Sequence, residues 1–233
     1  MQRIYTLEEL ARFLNRRPKD LIKLAEKDLL HGRKVQGNWT FALPDVVLWM
    51  ERELTQVDND TKERLENAVA SVAEEHEDVE FRELLSEQLV ELSFPARTKA
   101  SVVAEITKIA ETSGMLWDAD AMAKALRERE EMASTALENG VAILHPRRPQ
   151  PDIIAQDFLV VAIAPCGVPF GGGHANLTDL FFLLCCQSDA SYLRSLGRLA
   201  RVLNTPGFLD QLRESTTPSE VVDLLARTAD SLE

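Results

Sequence analysis

The chain has 233 residues, 45% of them hydrophobic and 27% charged, which is the balance of a soluble globular protein. Its net charge of −12 argues against a chain coated with nucleic acid along its whole length. No apolar run reaches the length of a membrane span or the core of a signal peptide. Cys166 and the adjacent Cys185-Cys186 are odd in number and lack metal-ligand spacing, so they read as reduced core thiols of a cytoplasmic protein with no metal or cofactor.

Charge is unevenly placed. Residues 1–53 carry 10 Lys and Arg against 8 Asp and Glu, a balance of +2, whereas the remainder stands at −14. This asymmetry implies two modules with different partners. Thr6, with Glu9 three residues on, forms a capping-box signature that opens a helix through Leu7, Leu10, Ala11, Phe13 and Leu14. Pro18 suits the first turn of a second helix, expected to run to about Leu30 with Leu21, Leu24 and Ala25 inward. Lys34-Val35 and Trp39-Thr40-Phe41 then flank Gly37-Asn38 as a hairpin, and Pro44-Asp45 begins a third helix.

From Arg16 to Lys34 there are seven basic residues (Arg16, Arg17, Lys19, Lys23, Lys27, Arg33 and Lys34) against three acids. A basic second helix followed by a basic hairpin is the footprint of a winged helix-turn-helix that enters a major groove. The other reading is a small helical adaptor with solvated lysines. The run Leu7 to Leu14, and above all Gly32-Arg33-Lys34-Val35-Gln36-Gly37-Asn38-Trp39-Thr40-Phe41 with Asp45 and Trp49, resembles the excisionase-type helix-turn-helix module. That resemblance covers roughly residues 2–53 and implies DNA binding. The chain departs from the module at Asp20, Ile22 and Lys23, and Asp28 stands where a glycine commonly ends the helix.

Residues 54–78 are polar and acidic, with Leu65, Val69 and Val72 as a thin helical stripe. They read as a linker helix of about 35 Å that also offers a homodimer contact.

Beyond residue 79, Phe81, Leu84, Leu85, Leu89, Val90 and Leu92 lead into an amphipathic helix bearing Val102, Val103, Ile106 and Ile109 and stopping at Gly114. Asp118 caps the next helix. Asp157 to Ile163 is a continuous apolar run, the mark of a strand buried on both faces. Leu177 to Cys186 is a second apolar element, and helices follow over 191–203, from Pro206 and from Pro218. Strands alternating with helices predict an α/β domain around a mixed sheet.

The stretch of most chemical interest lies between these. A charged helix end containing Arg129 turns through Asn139-Gly140 into the short strand Val141 to Leu144, and His145 stands at its end before Pro146-Arg147-Arg148. Histidine suits phosphoryl transfer because it offers a neutral, nucleophilic ring nitrogen near neutral pH. Taken by residue type alone, the favoured reading of His145 is a surface histidine in a basic loop, and that of Arg129 a helix-surface arginine paired with Glu130 or Glu131.

Leu84-Leu85, Lys99-Ala100, Arg129-Glu130, Ser134-Thr135, Asn139 to Ile143, His145, Val168-Pro169-Phe170, Leu180 to Leu184 and Leu193 to Ala200 together resemble the enzyme IIA domain of the bacterial phosphotransferase system, in its fructose, mannitol and nitrogen-regulatory branch. Arg129 and His145 keep the sixteen-residue separation of that family's active-site pair. The resemblance implies that His145 accepts a phosphoryl group from a phosphocarrier protein of the HPr kind. It also implies that Arg129 clamps the phosphoryl oxygens and that Asn139 orients the ring or a backbone amide; the reading requires Arg129 and His145 to share one concavity open to water. Tyr192 stands where many members carry a second histidine; it donates a hydrogen bond but carries no positive charge. Leu144, Pro146 and Glu138 are further departures, and His174 lies in a glycine-rich loop where an acidic residue is usual.

The resulting expectation is an excisionase-like DNA-binding domain over 1–53, a linker helix over 54–78 and an enzyme IIA-like domain over 79–233. Phosphorylation of His145 would be coupled to DNA binding. The alternative is an interaction or sensor protein of the same fold that transfers no phosphate.

Overall fold

The computed structural model describes residues 4–14, 16–43, 45–46, 48–50, 81–137, 139–171 and 177–232. The expected linker over 54–78, its dimer contact, Glu138 and His174 all lie outside the described residues. The chain divides into a unit of residues 1–78 with Leu193–Arg201, and a unit of Val79–Tyr192 with Val202–Glu233.

In the first unit, strand β1 (Ile4–Thr6) runs straight into helix α1 (Leu7–Phe13). Thr6 makes the junction: its hydroxyl accepts from the Glu9 amide at 3.3 Å, and the Glu9 carboxylate accepts from the Thr6 amide at 2.8 Å. Helix α2 spans Pro18–Glu26, shorter than the expected reach to Leu30. The cause is Asp28, whose φ of 57° is left-handed. The Asp28 amide donates to Ala25 and the Leu29 amide to Leu24, which is the Schellman closure normally made around glycine.

Strands β2 (Arg33–Val35) and β3 (Asn38–Ala42) form the hairpin. Val35 pairs with Asn38, so the turn residues are Gln36 and Gly37, one position earlier than expected. Their φ values of 50° and 85° are the two positive angles that a two-residue turn demands. The sheet has three strands in the order β1-β3-β2, not the expected pair. Helical residues follow within 43–50, and Tyr5, Leu10, Leu14, Leu21, Leu30, Phe41 and Trp49 are buried.

The second unit is an α/β fold. Its mixed sheet has the order β4-β6-β7-β5, built from β4 (Val90–Glu91), β5 (Val141–Leu144), β6 (Phe158–Val168) and β7 (Thr178–Cys185). β6 and β7 pair antiparallel, while β4 on β6 and β5 on β7 are parallel. The continuous apolar run from Phe158 is thus the central strand that its composition predicted, and the second apolar element, from Leu177, is the other central strand.

Helix α3 (Lys99–Thr112) starts at a Thr98–Ser101 capping box, and α4 (Ala119–Met132) at Asp118, whose carboxylate accepts from the Ala121 amide at 2.8 Å. Val102, Ile106, Met122 and Leu126 of these helices share one buried cluster with Ala142, Leu144, Val160, Ala162, Phe181 and Leu183 of the sheet. Helix α5 (Asp189–Leu203) has its residues Leu193–Arg201 in the first unit, whereas α6 (Phe208–Glu214) and α7 (Pro218–Asp230) belong to the second, where α7 packs beside β4. Cys166 is exposed, which corrects its reading as a core thiol: it lies at the end of β6, beyond the buried stretch. Cys185 is buried, and burial pushes its thiol up, so it stays protonated and poorly nucleophilic.

Candidate active site

The site grows from the way α4 ends. Ala133 leaves the helix in an extended conformation, at φ −167° and ψ 142°. The following residues run back alongside β5. The Ile143 amide donates to the Thr135 carbonyl at 3.3 Å, Ala136 bridges Ala142, and the Leu137 amide donates to Val141 at 2.7 Å. A helix end and a strand end are thereby folded onto each other around one turn. Arg129 and His145, sixteen residues apart, meet at 2.9 Å.

The turn itself is fixed from the side. Gly140 has a φ of 83°, and a Cβ there would fall 2.7 Å from the Asp179 carboxylate. Asp179 forms a two-point ion pair with Arg213, at 2.6 and 2.9 Å, which holds the guanidinium firmly charged. Arg213 also donates to the Asn139 carbonyl at 3.0 Å. The side chain of α6 therefore anchors the turn that aims β5. Asn139 itself is exposed and is held through its backbone oxygen, so the expected role of its side chain at the ring is not what the structure builds.

Hydrogen bonds specify the imidazole. The Arg129 Nε–H donates to His145 Nε2, and His145 Nδ1 lies 2.9 Å from the Ile143 carbonyl, to which it donates. The ring is then neutral, with its proton on Nδ1 and its lone pair on Nε2. Arg129 is steadied in turn by donation from Nη1 to the Ala133 carbonyl at 2.9 Å. The Tyr192 ring packs beside the imidazole, with centroids 5.2 Å apart and planes tilted by 41°. Three of the four expected site residues therefore stand together.

Their exposure differs from expectation. His145 is 4% exposed, Arg129 5% and Tyr192 7%, so the pair is covered and not set in an open concavity. The two alternatives, a surface histidine and a surface arginine, are corrected by the same observation. Pro146 after the ring is also buried, and exposure begins only at Arg147 and Arg148.

Glu130, next to Arg129, is a residue whose part sequence reasoning missed. Its buried carboxylate accepts from the Thr135 amide at 3.0 Å and the Thr135 hydroxyl at 2.7 Å, and pairs with Lys99 at 3.2 Å. Its signal is an acid in the last turn of a helix, five residues before a threonine, with both residues standing in the pairs Arg129-Glu130 and Ser134-Thr135 that carry the resemblance.

In the first unit, Arg17, Lys19, Lys23, Lys27, Arg33 and Lys34 are exposed, and Arg16 is half-buried with its guanidinium 5.0 Å from the Trp49 ring. Lys34 lies over Trp39 at 4.9 Å. Asp20 is bonded to Arg17 at 2.8 Å, and that bond lowers its pKa.

The family model for the phosphoenolpyruvate-dependent sugar phosphotransferase system, EIIA 2, matches residues 83–228. The fructose-specific EIIA component of Haloferax volcanii is 26% identical over 145 residues, which cover 61% of this chain and 92% of that protein. The nitrogen regulatory protein of Bradyrhizobium diazoefficiens is 27% identical over 147 residues, 62% of this chain and 93% of that one. The fructose-specific EIIABC component of Bacillus subtilis is 23% identical over 149 residues, but the match spans only 23% of its length. Among solved structures, IIA mannitol from Escherichia coli gives a TM-score of 0.54 at 21% identity, covering 61% of this chain and 99% of that one. The nitrogen regulatory protein IIA-Ntr from Neisseria meningitidis gives 0.55 at 22%, covering 62% and 97%. These structural likenesses establish a shared fold, with the family match extending from the loop before β4 into α7. The chain belongs to the EIIA type 2 family of the phosphoenolpyruvate-dependent sugar phosphotransferase system.

Proposed function

We propose that this protein is a cytoplasmic regulator whose domain over 79–233 accepts a phosphoryl group on His145. The observation that carries this reading is the 2.9 Å contact of the Arg129 Nε–H with His145 Nε2 while Nδ1 faces the Ile143 carbonyl, a pairing that turns the Nε2 lone pair to a guanidinium. In the transfer, Nε2 attacks the phosphorus of a donor phosphohistidine in line. The donor P–N bond breaks, and its electron pair returns to a donor ring that carries its proton on the other nitrogen and so leaves neutral. The Nε2–P bond forms while Nδ1 keeps its proton on the Ile143 carbonyl. The Arg129 Nε–H gives up the lone pair and moves to a phosphoryl oxygen, a planar fork matched to phosphate. Such transfer asks chiefly for positioning and charge neutralisation. The cover over His145 must open for a donor to reach it.

Residues 1–53 are proposed as a winged helix-turn-helix that binds DNA, and 54–78 as a linker helix with a homodimer contact. The support is the run of exposed bases on α2 and on β2. Phosphorylation adds about two negative charges, which alter the relation between the domains and hence DNA affinity.

The test is intact-mass analysis at neutral pH after incubation with a phosphocarrier protein charged from phosphoenolpyruvate. One phosphoryl group is expected on wild type and none on His145→Ala. An unmodified wild type would favour the second reading, a non-transferring interaction protein, for which the low exposure of His145 already speaks. DNA binding is tested by anisotropy on mixed duplexes across a salt series. Affinity should fall steeply with salt, and Lys34→Glu should lower the slope of log K against log salt by about 1. Absence of binding at low salt would remove DNA from the proposal.

A further inference from the structure

We propose that Glu130 is a positioning residue that sets the tautomer of His145 and the aim of Arg129. The proposal rests on His145 as the phosphoryl acceptor for its kinetic consequence, but not for its structural one.

Glu130 and Arg129 are consecutive in the last turn of α4, and both reach across the same break in the helix. Arg129 takes the Ala133 carbonyl, and Glu130 takes the amide and hydroxyl of Thr135. Between them, these bonds fix the conformation of residues 133–135. Two consequences follow. The Ala133 carbonyl is held where it can receive Arg129 Nη1. The Thr135 carbonyl is held where it can receive the Ile143 amide, and Ile143 in turn offers its own carbonyl to His145 Nδ1. Glu130 is thus tied to the guanidinium through the backbone of residues 133–135 and to the imidazole through three hydrogen bonds in series.

The charge on Glu130 is telling. A helix end can be closed by a neutral side chain, and burying a carboxylate is costly unless it is fully paired. Here the Thr135 amide, the Thr135 hydroxyl and Lys99 all meet it, and Lys99 itself lies over the Phe170 ring at 5.5 Å. Bonds to an ionised acceptor are shorter and stiffer than neutral ones. A stiff tie is what a ring needs when its two nitrogens must keep different roles.

The experiment uses the full chain labelled with nitrogen-15 histidine. Long-range proton–nitrogen NMR reads the His145 tautomer without any donor, and potassium phosphoramidate, a small donor that needs no docking surface, gives the phosphorylation rate. Wild type and Thr135→Ser should show one tautomer, with the proton on Nδ1. Glu130→Gln and Thr135→Val should show a mixture, with phosphorylation slowed roughly tenfold to a hundredfold. A folded Glu130→Gln that keeps the single tautomer and the wild-type rate would overturn the proposal. So would the failure of both variants to fold, since Glu130 would then be needed only for folding. Should the tautomer shift while wild type takes no phosphate, the positioning role stands and the acceptor reading fails.

Discussion

Replacing Arg129 by Met should slow phosphorylation of His145 by about 100- to 1000-fold, the usual cost of removing one aligned electrostatic partner. The side chain is buried, donates to His145 Nε2 from Nε and is anchored from Nη1 on the Ala133 carbonyl. Two donors of a rigid fork are therefore committed to two acceptors at once. Arg129→Lys should recover little, because an ammonium on a flexible stem offers a point charge and cannot hold both acceptors in one plane. The check is the initial rate with a charged phosphocarrier protein, alongside thermal unfolding to show that each variant is folded. A folded Arg129→Met with a wild-type rate would leave the guanidinium without a part in the chemistry.

The family resemblance brought Arg129 and His145 together as a pair, whereas local cues marked the elements around them. Asn139-Gly140 announced the turn, Val141 to Leu144 the strand, and the apolar run from Phe158 the central strand. Strand order was hidden, since β4 is a two-residue strand whose parallel partner Val161 lies 71 positions beyond Val90 and leaves no mark near it. The end of α2 was misread because Asp28 adopts the left-handed angle usually given to glycine, an adoption that its short polar side chain tolerates. Burial of His145 was also invisible. A histidine beside Pro146 and two arginines looks like a loop residue, yet Tyr192 returns from 47 residues downstream to set a ring against it. The part of Glu130 is hidden for a related reason. In a charged helix end an acid looks solvated, and only the fold-back at Ala133 turns it inward.

The largest loss of stability is expected from Phe181→Ala, at about 3–5 kcal/mol. Phe181 is fully buried in β7, with Ala162 beside it on β6 and Ala142 beside it on β5. The small neighbours make room for the phenyl ring, which packs against Phe94 at 5.7 Å and edge-on to Phe170 at 5.3 Å. Removing the ring leaves a void that two alanines cannot fill, since their side chains have nothing to extend. A domain has only about 5–15 kcal/mol of net stability, so this one substitution takes a large share of it. The same ring lies between the strand that carries His145 and the antiparallel partner β6, so its loss should also loosen β5. Urea unfolding followed through the enzyme IIA-like domain measures the first effect. The midpoint should fall with little change in slope, and a loss below about 1 kcal/mol, the scale of a well-tolerated core swap, would mean that the cavity collapses. Proton exchange at the Ile143 and Leu144 amides measures the second. Faster exchange there than at β6 would show that the ring stiffens the acceptor strand as well as the core.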